Sequence, residues 1–225
     1  MKILALDSST DYFCLGLSDG KRHYLHNLRT RTLLSKVITV IIKRVIEAAG
    51  IEIADFDYFA CGIGPGSFTG LRVGVATIKG LAWAANKPVI SIPTLDILAL
   101  NFDRGDGIVV PAVDAKRGLI YCCIYELKNN KLRKLSPYML LSAAEFCRKV
   151  KSGSYILGDA LELYKDEFRA KIKRANLLDK DYWYPRAEKL LAAAESAVKS
   201  RKGLTDAFKI KPLYLYPRDC QIRKK

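Results

Sequence analysis

Hydrophobic and polar positions in the first hundred residues switch between two periods. Lys2–Asp7 and Tyr12–Ser18 are short apolar runs of strand character joined by the polar turn Asp7-Ser8-Ser9-Thr10-Asp11. Asp19-Gly20 marks another tight turn, and Arg22–Leu28 reads as a third strand. From 32 to 49 the apolar spacing becomes helical and stops at Gly50, a natural residue just past a helix C-terminus. Asp57–Ile63 reads as a buried strand running into Gly64-Pro65-Gly66-Ser67. A helix over Thr69–Asn86, a strand at Val89–Ile92 and a helix entered at Pro93-Thr94 follow. Three hairpin-joined strands and then alternating helices and strands predict a mixed α/β sheet with helices on its faces.

A second passage echoes the first. Ile108–Asp114, a polar turn and Leu119–Glu126 repeat the opening order of strand, Asp, turn and strand, with Ala5-Leu6-Asp7 answered by Ala112-Val113-Asp114. Strands near Leu132–Tyr138 and Tyr155–Leu157, and helices near Ala143–Val150, Leu161–Ala170 and Ala187–Lys199, complete a less regular half. Two related lobes are expected, 1–103 and 104–225, the boundary falling in Asn101–Gly107.

The helix at 32–49 carries more apolar surface than one sheet needs. Lys36, Thr39, Lys43 and Glu47 form one narrow polar stripe. Leu34, Ile38, Ile41, Val45 and Ala48 lie along one apolar line, Leu33, Val37 and Val40 along another, Ile42 and Ile46 along a third. A helix covering only its own sheet needs an apolar face roughly 100° wide. The excess points to a second surface. The next helix places Gly70 and Gly74 one turn apart, and small residues so spaced let helices approach closely. Leu33, Val37, Val40, Ile41 and Arg44, with Gly70, Gly74 and Thr77, are the candidate partner face.

Two loops could carry chemistry. Gly64-Pro65-Gly66-Ser67-Phe68-Thr69-Gly70 follows a strand and opens a helix, where free N–H groups and the helix dipole can hold an anion. Ser67 or Thr69 can cap that helix. The segment lacks the Gly-Lys-Ser/Thr of a Walker loop, the third glycine of a dinucleotide fingerprint and the first glycine of a nucleophile elbow. Asp7, Ser8, Ser9 and Thr10 lie between two hairpin strands, as in loops that present an acid to Mg²⁺ and hydroxyls to phosphate. The plain alternative is a turn closed by side chains bonding their own backbone. Together Asp7, Ser8, Ser9, Thr10, Gly64, Gly66, Ser67 and Thr69 are what a degenerate nucleotide cleft would leave.

Charge adds one asymmetry to a formal net of +15. Residues 128–225 hold 24 Lys and Arg against 11 Asp and Glu, whereas 1–127 hold 14 against 12. Such a half fits RNA phosphates or simply solvated lysines, and no stacked-aromatic RNA motif accompanies it. Six cysteines lack CxxC spacing, and only His23 and His26 stand as histidines, three apart in an expected strand and so on opposite faces. Neither a metal site nor a Ser/His/Asp or Cys/His arrangement is expected. No apolar run is long enough for a membrane span, which leads to an expected cytoplasmic location.

Ile3-Leu4-Ala5-Leu6-Asp7-Ser8-Ser9-Thr10 and Gly64–Ala76 resemble the TsaB/YeaZ family, as do Ala112–Arg117, Gly158-Asp159 and, more faintly, Pro212–Leu215. The resemblance implies an actin-like, sugar-kinase-like fold of the RNase H-like class, with two duplicated lobes, the second degenerate. It implies membership in the complex that forms N6-threonylcarbamoyladenosine at position 37 of tRNAs reading codons that begin with adenine. In that family the protein performs no transfer. It pairs through its N-terminal helices with a TsaD-type catalytic subunit and supports a TsaE-type ATPase. No catalytic residue, cofactor or metal of its own is implied, ATP and metal belonging to the partners. A nucleotide at the heterodimer boundary, a homodimer of the isolated chain and tRNA contact through the basic half stay open. Family members often carry His-Ser-Glu where this chain has Arg29-Thr30-Arg31. The alternative is a small ATP-dependent kinase-like phosphotransferase using Asp7 and the glycine loop.

Overall fold

The structure, a computed structural model, describes residues 1–30, 34–129 and 131–217. The chain forms two units, Met1–Asn101 with Tyr184–Pro212, and Phe102–Trp183 with the residues from Leu213 on.

In the first unit β1 (Ile3–Asp7), β2 (Tyr12–Ser18) and β3 (His23–Arg29) form an antiparallel meander. β4 (Tyr58–Gly62) runs parallel to β1 on its other side, β5 (Val89–Ile92) runs parallel to β4, and the short β13 (Leu204–Thr205) closes the edge antiparallel to β5. β1 is buried throughout because its alternating side chains enter two cores. Leu4 and Leu6 join Phe13, Leu15 and Leu17 under α1 (Leu34–Ala49) and α2 (Phe68–Ala84). Ile3 and Ala5 join Cys14 and Ala60 on the opposite face, covered by α6 (Ala187–Ser200) with α3 (Thr94–Ala99) beside it. In α1, Ile38, Ile42 and Ile46 recur every four residues and are buried, each contributing about 1.5–3 kcal/mol.

The second unit repeats this plan. β6 (Gly107–Lys116) pairs antiparallel with β7 (Leu119–Cys122), which pairs with β10 (Met139–Ser142). α4 (Ala143–Lys149) leads to β11 (Tyr155–Leu157), parallel to β6, and α5 (Leu161–Lys171) leads to β12 (Asn176–Leu177). The order β10-β7-β6-β11-β12 thus reproduces β3-β2-β1-β4-β5, with the same strand directions. An added hairpin, β8 (Tyr125–Lys128) and β9 (Lys131–Lys134), pairs with the start of β6.

Three expectations are corrected. The division at 103/104 omits the return of 184–212 to the first unit. Small residues explain that return: Gly16 on β2 admits Ala187 and Leu191, and a Cβ there would sit 3.0 Å from the Ala187 carbonyl oxygen. The strand expected over Leu119–Glu126 is two, broken where the Ile124 N–H turns to Ser136 Oγ at 2.9 Å. The strand expected over Leu132–Tyr138 ends at Lys134, before Ser136-Pro137, because proline cannot donate to a ladder. No described helix is long and apolar enough to cross a membrane.

Candidate functional site

The two loops singled out in the sequence meet at the C-terminal ends of β1 and β4. Asp7 is fully buried at the end of β1. Its Oδ1 accepts the Ser9 N–H at 2.7 Å and the Ser9 hydroxyl at 2.6 Å, and Thr94 Oγ1 donates to Oδ2 at 2.7 Å. Thr94 Oγ1 in turn accepts the Gly64 N–H at 3.1 Å. Burial pushes the Asp7 pKa above the ordinary carboxylate value, while the Ser9 and Thr94 hydrogen bonds pull it back. Thr94 completes this group and was missed, because Pro93-Thr94 reads only as a helix entry.

The glycine loop is seated on the first loop. The Ser67 N–H donates to the Ser9 carbonyl at 2.7 Å, and the Ser8 hydroxyl donates to the Gly70 carbonyl at 2.8 Å. A Cβ at Gly62 would collide with Asp7 Oδ2, at Gly66 with the Ser9 carbonyl, at Gly70 with the Ser8 carbonyl and at Gly74 with Ser8 Oγ. Gly64 adds a left-handed backbone, φ +92°, beneath Leu71. These glycines therefore admit the Asp7–Ser9 loop. Ser67 caps α2, its Oγ accepting the Gly70 N–H at 3.3 Å, and Thr69 is exposed in the first turn. Thr10 closes its own turn, its hydroxyl donating to the Tyr12 carbonyl at 3.1 Å. Backbone donors that would face a phosphate at Ser67 and Gly70 are spent within the protein.

The candidate partner face divides in two. Val40 is 47% exposed, Val37 and Ile41 are half-buried and Arg44 is exposed. Thr77 is half-buried, its hydroxyl donating to the Val73 carbonyl at 2.8 Å. Leu33 lies outside the described residues. Gly70 and Gly74 are a correction: they turn inward onto Ser8, because that loop needs the space a side chain would fill. The open small residues on α2 are Ala76, Gly80 and Ala84, and a Cβ at Gly80 would meet nothing within 4 Å.

Other reactive groups are structural. Burial drives the Cys14 and Cys61 thiols well above their usual pKa, with the Asp7 charge adding to it, and Cys122 is pushed up to about 12. Thiols held this way are poor nucleophiles. His23 Nε2 lies 3.3 Å from Glu195 on α6, and strand alternation sets His26 on the opposite face. Among the described residues no three His, Cys, Asp or Glu side chains gather as metal ligands.

A meander extended by parallel strands and built twice over defines a duplicated α/β protein with mixed sheets. Residues 30–215 match the sequence model described as TsaD, tRNA N6-adenosine threonylcarbamoyltransferase, and the chain belongs to the TsaB/YeaZ family. It is 32% identical over 162 residues to the tRNA threonylcarbamoyladenosine biosynthesis protein TsaB of Bacillus subtilis, spanning 67% of this chain and 66% of that one. To the Escherichia coli protein of the same name it is 32% identical over 133 residues, 58% of this chain and 57% of that one. The chain thus spans slightly less than two thirds of the first relative's length and just over half of the second's. The solved structure of YeaZ from Pseudomonas aeruginosa superposes with a TM-score of 0.82 at 26% identity, covering 95% of this chain and 100% of that chain.

Proposed function

We propose that this protein takes part in forming N6-threonylcarbamoyladenosine on tRNA as the non-catalytic partner of a TsaD-type transferase. The names of its relatives support the pathway, and the partner role rests on one observation. Val40 stands 47% exposed on α1, with Val37 and Ile41 only half-covered, although the same helix already buries Ile38, Ile42 and Ile46 against its sheet. Apolar surface beyond the needs of the sheet fits a paired helix surface. On this reading α1 and the Thr77–Gly80 side of α2 face the transferase, and the TsaE-type ATPase joins the pair. The kinase-like alternative needs Asp7 and the glycine loop open to a nucleotide, and here each loop fills the other. ATP and metal then belong to the partner subunits.

The test is reconstitution with the cognate TsaD-type and TsaE-type proteins, followed by mass spectrometry of the tRNA nucleosides. The modified nucleoside should form only when this chain is present, and Val40→Glu should abolish both pairing and modification. Modification that proceeds equally well without the chain, or phosphate transfer by the chain alone, would overturn the proposal.

A further inference from the structure

The end of α2 carries a surface that the pairing above does not use. Trp83 and Phe208, far apart in sequence, are 67% and 66% exposed and lie edge to face, ring centroids 6.4 Å apart. They rim a cleft of about 540 Å³ whose lining also includes Lys87, Asn86 and Asp206. The single lining carboxylate is engaged, since Asp206 Oδ1 accepts the Phe208 N–H at 2.7 Å and so shapes the turn that presents the ring. Lys79 Nζ donates to the Phe208 carbonyl at 3.3 Å, bringing a cation beneath the pair. Lys209 and Lys211 follow Phe208 in the chain, both exposed. These two form no ion pair among the described residues. Lys87 shares the field of an acid, Asp55.

We propose that this cleft binds single-stranded RNA, a base stacking on one of the two rings with the other against its edge, and flanking phosphates set among the lysines. Two large rings exposed side by side form a contiguous apolar patch of the kind that marks an interaction site. Aromatic side chains serve protein interfaces and nucleic-acid surfaces alike, but lysine is depleted at the former and supplies the backbone contacts of the latter. Lys209 and Lys211, without ion pairs among the described residues, therefore favour RNA over a protein partner. Rings can stack only on bases already unpaired, which selects a loop or single strand over a duplex.

The full-length chain would be titrated into a fluorescein-labelled single-stranded oligoribonucleotide, with anisotropy read at several salt concentrations. Binding should quench tryptophan emission, and that quenching should vanish in Trp83→Phe. Trp83→Ala with Phe208→Ala should weaken binding at least about tenfold. Lys209→Gln with Lys211→Gln should flatten the salt slope by about 0.7 for each charge removed. Val40→Glu should bind RNA as the wild type does, which separates this site from the pairing face. Unchanged RNA affinity in a folded aromatic double variant would overturn the proposal, as would equal competition by an acidic peptide. If the double variant does not fold, Trp83→Gln alone, at its exposed position, carries the same test.

Discussion

The backbone N–H of Ser67 donates a 2.7 Å hydrogen bond to the carbonyl of Ser9, so the Asp7–Ser9 turn and the glycine loop are one hydrogen-bonded body. What reads in sequence as two walls of a phosphate cleft is a closed seam between β1, β4 and α2.

The seam makes its glycines unequal to others. Gly62→Ala and Gly70→Ala drive a methyl into Asp7 and into the Ser8 carbonyl, and each should destabilise by about 1–3 kcal/mol. Gly80→Ala meets nothing and should stabilise the isolated chain by about 0.5–1 kcal/mol through helix propensity. Thermal melts should therefore move in opposite directions for the two kinds of substitution.

Asp7→Ala strands the Ser9 and Thr94 donors in a buried site and should cost about 3 kcal/mol by denaturant titration. The pH dependence has a definite sign. Burial raises the native pKa, so the native state holds this proton more tightly than the unfolded chain does. The stability contributed by this group is greatest below the unfolded value of 3.8 and falls as pH rises through the native pKa. Wild type measured against Asp7→Asn should accordingly lose relative stability between acidic and neutral pH.

Val40→Glu places a charge on an exposed position and should change monomer stability by no more than about 0.5 kcal/mol. Gel filtration with the TsaD-type subunit should nonetheless show loss of the heterodimer. Thr69→Ala, on an exposed first-turn residue, should leave pairing intact.

The opening meander was legible because Lys2–Asp7 and Tyr12–Ser18 are apolar runs closed by turn residues, and the structure places β1 and β2 there. On α1 the sequence shows the apolar excess but not which residues form the sheet face: its spacing sets Ile38 beside Ile41 and Val45, whereas the structure buries Ile38 with Ile42 and Ile46. Gly70 and Gly74 were misassigned because a row of small residues does not say which neighbour it admits. Here the neighbour is Ser8, brought in by strand pairing. Phe208 beside Trp83 is illegible for the same reason: their meeting depends on a long return of the chain and not on any local period.

That return has a consequence for how the protein is made. The inner faces of Ile3, Ala5, Cys14 and Ala60 wait for Ala187, Leu190, Leu191 and Ala194. A nascent chain leaving the ribosome must hold its first sheet half-dressed until nearly all the remainder has been translated. A product ending at residue 183 should thus emerge as sticky, chaperone-bound material, and a separately supplied peptide spanning 184–212 should rescue it.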